Sequence, residues 1–324
     1  MPKNRKLFIH GDVHFITTRV VEGLPIVSSS FMKIILESII ARAQQLYDIK
    51  LGDFLFMSNH LHLLITVTNP CHVDAFMGYL KTESAHAINR LMGKRKGSVW
   101  EDGYDSPIIL DIEKLKDKIV YIYTNPQSAN LVETIDQYPN LSSWQAFKTD
   151  QSEFKTYRII RTQYRRLVKG ASDRQKSAYA KELREDSLGE ISYKLDLKAA
   201  FNAFSNDDTY DEFRKEIIDL IKEKEEELKV QRKKDRKQVL GASALKSQSM
   251  YKAHTPKKFG KKMICLGSTK EIRKDFIEIF KQLRDECIQA YRKIVAGCRI
   301  TQLPPGFYMP GRVKYAEALP GSLI

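Results

Sequence analysis

Residues 57–67 run Met57-Ser58-Asn59-His60-Leu61-His62-Leu63-Leu64-Ile65-Thr66-Val67, and the remainder of the chain can be laid out around them. Leu61, Leu63, Leu64, Ile65 and Val67 give this stretch the apolar, β-branched character of a strand. Strand side chains alternate faces, so His60 and His62 point the same way and make half of a metal site. Downstream, residues 118–132 read KIVYIYTNPQSANLV. On a helix, Tyr121 and Asn125 stand four residues apart and share one side, while Tyr123 turns away. Two imidazoles, an amide and a phenol can therefore be gathered from two short segments. A pair of half-buried sheet histidines would show the same spacing, and a tyrosine by itself is more often a packing aromatic. The conjunction of all four favours chemistry.

Working outward, Val13 to Val20 is β-branched and partly alternating, as a first strand should be, and Glu22-Gly23-Leu24-Pro25 turns the chain. Ser28 to Ser30 offers N-caps for a helix to about Tyr47. Phe54 to Met57 gives a second strand, and Ser58-Asn59 a tight turn into the histidine strand. A second helix is expected from about Val73 to Leu91, followed by the basic loop Lys94-Arg95-Lys96. Ser106 to Leu110 supplies a fourth strand ahead of the tyrosine helix, which Pro126 should end or kink, leaving Tyr121 near a mobile helix end. Strand, helix, strand, strand, helix, strand is the order of a ferredoxin-like α+β sandwich.

The charge is divided unevenly. Residues 1–150 hold 16 Lys and Arg against 16 Asp and Glu, which leaves 38 against 24 of the chain's 54 and 40 for residues 151–324. That division suggests a domain over 1–150 and a basic, mainly helical extension over 151–324 that binds DNA or dimerises. A basic appendage gains affinity for a polyanion by releasing counterions from phosphates, although basicity also serves solubility. Tyr210 to Lys237 and Ile272 to Tyr291 carry apolar residues at helical spacing, the latter behind a Ser268/Glu271 capping box. A flexible segment is expected near 238–264, and Leu303 to Gly311 should be extended or turned. Cys71, Cys265, Cys287 and Cys298 form no CxxC pair, so neither a zinc ribbon nor a disulfide framework is indicated. No signal-like stretch or membrane-length apolar run occurs, so a cytoplasmic, nucleoid-associated location is expected. There is no GxxxxGK[ST] phosphate loop.

MSNHLHLLI resembles the HUH motif of the single-tyrosine transposases, the insertion-sequence-200 type and its relatives associated with repetitive extragenic palindromes (REP). Their catalytic helix carries Y-x-x-x-[QN], and the palindrome-associated branch resembles YIxxNPxxAxLV. Residues 121–132, YIYTNPQSANLV, follow that pattern, with Ser128 and Asn130 where relatives often have Arg and Gly. HFITTRVVEGLPI, LKTESAHAINRLMG, VWEDGYDSPII and YPNLSSWQAF are further family-like pieces in the expected order. The likeness spans residues 8 to about 150 and stops there.

What the resemblance implies is a ferredoxin-like HUH nuclease that cuts and joins single-stranded hairpin or palindromic DNA through a 5′-phosphotyrosine link. Tyr121 would be the nucleophile, with His60, His62 and Asn125 holding Mg2+ or Mn2+, an ion suited to two imidazoles and an amide oxygen. Gln127, six residues from Tyr121, lies off that helical face. His14, His72 and His86 are expected to be structural or solvent-facing. Arg19, Lys81, Arg90, Lys94, Arg95 and Lys96 are candidate phosphate contacts, as are Arg232, Lys233 and Lys234 in the extension. Trp100 and Tyr104 are candidates for stacking on bases or for core packing. Insertion-sequence relatives work as homodimers, and a monomer is equally compatible with the sequence. The competing function is a domesticated DNA-binding regulator that keeps the fold without turnover.

Overall fold

The histidine strand is central to the sheet. In the computed structural model, which describes residues 6–25, 29–93, 97–167, 169–252, 262–298 and 301–307, β1 (Val13–Arg19) and β2 (Lys50–Phe56) flank β3 (His60–Thr66), both antiparallel to it. Arg19 lies opposite His60 and Thr17 opposite His62. A bulge between Leu51 and Phe54 shifts the register of β2. On the far side of β1, β4 (Ile108–Ile109) completes the antiparallel order β2-β3-β1-β4. With α1 (Ser30–Leu46) between β1 and β2, and α2 (Pro70–Leu91) between β3 and β4, this is the expected ferredoxin-like α+β sandwich.

Short-range chemistry sets the helix ends. Asn69 Oδ1 accepts from the Cys71 N–H at 3.1 Å and Pro70 opens α2, so that helix begins three residues before the expected Val73. The two crossover helices pack on each other. The other face receives α3 (Ile112–Ser128), whose first turn is capped by Asp111 Oδ1 at 2.8 Å from the Lys114 N–H. Contrary to expectation, α3 passes through Pro126. The proline removes one N–H within the last turn, and the chain closes behind it through Ala129 N–H to Asn125 O (3.0 Å) and Leu131 N–H to Pro126 O (2.9 Å).

The composition change near residue 150 is not a gap in packing. After α4 (Trp144–Thr149), the paired strands β5 (Glu153–Tyr157) and β6 (Glu190–Lys194) and the helix α5 (Asp173–Glu185) lie against α1. A short helix, α6 (Leu197–Asn202), covers β2 and β3, and α7 (Tyr210–Lys234) runs along α3. One apolar core reaches from Phe8 through Ile221 and Leu245 to Leu266. Part of the segment expected to be flexible is docked: Leu240 and Gly241 donate to Asn130 O and Leu131 O, and α8 (Ala242–Ser247) buries Leu245. Residues 253–261 lie outside the described ones.

Both outer strands are covered by the chain itself. β7 (Cys265–Leu266) pairs in parallel with β4, and on the other edge Phe56 N–H donates to Leu141 O and Ser143 N–H to Phe54 O. The helix α9 (Lys270–Val295) begins one residue later than the expected cap, with Thr269 Oγ1 accepting from Ile272 N–H at 3.3 Å. Ser268 N–H instead donates to Asp111 Oδ2 at 2.7 Å. A small second cluster joins α9 to both ends of the described chain through Leu7, Phe280, Cys287 and Phe307.

Candidate functional site

Period-two alternation places Phe15, Thr17 and Arg19 of β1 on the same face as His60 and His62 of β3, beneath α3. His62 is 3% exposed, stacks on Phe15 with ring centres 5.2 Å apart, and meets Tyr121 edge-on at 5.3 Å. Its Nδ1 is 3.0 Å from Thr17 Oγ1, and its Nε2 is 3.1 Å from Asn125 Nδ2. The rings of His60 and His62 are 4.9 Å apart. His60 Nδ1 is 2.7 Å from Asn59 Oδ1. An amide oxygen only accepts, so Nδ1 of His60 carries the hydrogen and Nε2 keeps its lone pair.

Burial pushes His60 down to about 4, with Arg19 adding repulsion. His62 is driven well below its ordinary value by burial first, then by His60, Arg19 and Lys118. Both rings are therefore neutral near pH 7, the state in which imidazole donates a pair to a cation. Among the described residues no group of three or more His, Cys, Asp or Glu is gathered to hold a metal. Asn125 would supply a third donor if its amide end were turned over, which brings Oδ1 beside His62 Nε2. Two nitrogens and one neutral oxygen fit a divalent ion that keeps open positions.

The two tyrosines of α3 have opposite surroundings. Tyr121 is 43% exposed and opens into a cavity of about 370 Å³ lined by Phe15, Arg19, His62 and Lys118. Tyr123 is fully buried, donating to Asp53 Oδ1 at 2.5 Å and lying 2.8 Å from Ser143 Oγ. Burial pushes the Tyr123 phenol well above its ordinary value and raises Asp53 to about 7. Gln127 is also sealed, with Nε2 donating to Glu225 Oε1 at 2.5 Å, and takes no part in the histidine cluster.

The remaining candidates separate by contact. Arg19 lines the Tyr121 cavity. Lys81 Nζ donates to Glu101 O and Gly103 O, and Arg90 Nε to Tyr164 O, so both brace loops around a larger cleft beside α2. Trp100 is 5% exposed, its Nε1 donating to Ser84 Oγ at 2.8 Å, and it is packed in the core instead of being offered to a base. Tyr104 donates to Asp74 Oδ1 and carries Lys6 over its ring. Arg232, 5% exposed, pairs with Glu133 and binds Gln127 O, whereas Lys233 and Lys234 are exposed. Lys94, Arg95 and Lys96 lie outside the described residues. His14 and His72 bind Ser106 O and the Asp48 N–H, away from the site, and His86 is exposed on α2. Thr17, Asn59 and Lys118 join the site without having stood out in the sequence. Strand parity with His62, adjacency to His60 and the i−3 spacing from Tyr121 were the available signals.

Residues 11–124 match the family model described as IS200-like transposase, a span that holds His60, His62 and Tyr121 and ends one residue before Asn125. A solved structure of a REP-associated tyrosine transposase bound to a REP hairpin is similar over 46% of this chain and 86% of its own, at 16% identity and a TM-score of 0.40. No curated protein matches the chain. Among the described residues no helix is long and apolar enough to cross a membrane.

Proposed function

From the match of residues 11–124 to the IS200-like transposase family, we propose that the chain cuts and rejoins single-stranded or hairpin DNA with Tyr121 as nucleophile. The observation that carries this reading is the approach of Tyr121 to His62, ring centres 5.3 Å apart, on the side of His62 that also meets Asn125. Tyr121 Oη attacks a phosphodiester, the Oη–P bond forms and the P–O3′ bond breaks. The strand left behind ends in a 3′-hydroxyl once the leaving oxygen takes up a proton. A 5′-phosphotyrosine remains and can be attacked by another 3′-hydroxyl, so no triphosphate is consumed.

His60, His62 and Asn125 would hold Mg2+ or Mn2+, which when bound supplies positive charge against the phosphoryl oxygens. The chain's own part is to keep both imidazoles neutral and aimed. Thr17 and Asn59 fix the rings from behind, and Phe15 excludes water from one side of His62. Burial of Tyr123 leaves Tyr121 as the reactive phenol of the helix. The complete set comes from one chain, so a monomer suffices for the chemistry in this reading. Residues 151–324, with their excess of basic side chains, are assigned to gripping the DNA backbone, at the nucleoid in the cytoplasm.

The test is a labelled hairpin oligonucleotide mixed with protein and Mg2+ or Mn2+, scored for a denaturant-resistant protein–DNA adduct. The adduct is expected with wild type and Tyr123→Phe, and is lost with Tyr121→Phe or a chelator. Binding without any adduct, across varied hairpins and both metals, would establish the regulator instead.

A further inference from the structure

The helix α3 carries three lysines. Lys114 pairs with Asp117 at 2.5 Å and Lys116 with Glu216 at 2.6 Å. Lys118 makes no ion pair among the described residues. Its ammonium lies 5.0 Å from the ring centre of Tyr121 and 5.2 Å from that of Phe15, on the wall of the cavity into which Tyr121 opens. Burial lowers the pKa of Lys118, with Lys114 adding repulsion and Asp117 offsetting only part of it. A half-buried cation without a counter-ion costs the fold free energy that an anion entering the cavity would return. The aromatic faces compensate in part through cation–π attraction, but neither brings a negative charge.

We infer that Lys118 is the residue that seats the attacked phosphodiester against Tyr121, by donating an N–H to a non-bridging phosphate oxygen. This rests on Tyr121 being the nucleophile. In the transfer, the phenol loses its proton to solvent, Oη bonds to phosphorus, the P–O3′ bond breaks and the 3′ oxygen is protonated. The non-bridging oxygens carry negative charge throughout, so one cation serves the substrate, the transition state and the phosphotyrosine product. Lys118 precedes Tyr121 by one helical turn, which holds charge and nucleophile in a fixed relation while the DNA moves in. The chemical class recognised is a phosphodiester of a single strand, and neither base identity nor a free nucleotide is required.

The experiment uses the full-length protein and the substitutions Lys118→Met and Lys118→Arg. In a Tyr121→Phe background, binding of a short oligothymidylate is measured across salt concentrations. Lys118→Met should weaken binding about fivefold and reduce the slope of log affinity against log salt by about 0.7, the value of one single-strand phosphate contact. Lys118→Arg should restore the slope. With Tyr121 present, adduct formation in a single turnover should fall about 100-fold in Lys118→Met and recover to within about tenfold in Lys118→Arg, with no loss of thermal midpoint in either. Wild-type affinity and salt slope in Lys118→Met overturn the inference, as does an adduct rate within about threefold of wild type. If wild type itself yields no adduct, the nucleophile reading fails while the salt slope still decides whether Lys118 holds phosphate.

Discussion

Arg232 of α7 donates to the backbone carbonyl of Gln127 on α3 at 3.2 Å and also pairs with Glu133. Seven residues earlier on the same helix, Glu225 accepts from Gln127 Nε2 and from the Ile135 N–H at 2.7 Å. These bonds grip the end of the tyrosine helix just beyond Asn125, where Pro126 has removed a helical bond. Replacing Arg232 with Met should cost about 2 kcal/mol, because Gln127 O and part of the Glu133 carboxylate lose their partner. Urea unfolding measures this, and an unchanged midpoint would show that α7 does not brace α3.

Asp53 gives the fold a pH dependence with a definite sign. Its pKa rises from the ordinary 3.8 to about 7, chiefly through burial, with the Tyr123 hydrogen bond pulling the other way. The folded state therefore keeps a proton that the unfolded chain releases between those values. This contribution is fully present below about pH 4 and is lost as pH rises through about 7, up to about 4 kcal/mol in all. Asp53→Asn should flatten that part of the stability profile. A wild-type profile that parallels the variant's from pH 4 to 7 would count against the assignment.

Tyr123→Phe removes the donor to Asp53 Oδ1, and Asp53 Oδ2 already has no hydrogen-bond partner among the described residues. The variant should lose about 1–3 kcal/mol of stability and still form the DNA adduct. Loss of the adduct with stability intact would mean that the two tyrosines had been assigned the wrong way round.

Thr17 stands behind His62, its hydroxyl 3.0 Å from Nδ1. Thr17→Val keeps the shape and removes the bond that orients the ring. Affinity for Mn2+, read by calorimetry on the DNA-free protein, should fall about 10- to 100-fold, while the thermal midpoint of the metal-free protein moves little. Equal affinities would place the ion elsewhere.

Trp100 separates packing from base stacking. Trp100→Phe gives up the bond to Ser84 Oγ, which still donates to Leu80 O at 2.6 Å, so about 1 kcal/mol should be lost. Single-strand affinity should stay within about twofold of wild type. A tenfold loss of affinity with unchanged stability would return Trp100 to the DNA interface.

The strand alternation around His60 and His62, and the four-residue step from Tyr121 to Asn125, were legible because each is fixed by local geometry. The same holds for the turn of Tyr123 away from the histidines, a direction that the sequence could give without its partner Asp53. Pro126 misled, since its local preference was overridden by bonds from α7, far along the chain. Arg232 looked like a surface group by residue type, and Trp100 fitted base stacking and core packing equally. Their burial depends on Glu133 and Ser84, partners that only the tertiary fold brings near. The charge step at residue 150 reported on solvent-facing side chains and carried no information about the apolar residues of α6 and α7 that share the first half's core.

The cover on the sheet's two outer strands has a consequence for assembly. A bare border strand is a template on which a second polypeptide can build, by subunit pairing or by runaway stacking. In this chain β7 pairs along β4 and residues 141–143 along β2, so the main-chain groups of those two strands are paired within the chain at these positions. A second copy would therefore not extend the sheet by main-chain pairing with β2 or β4 at these positions.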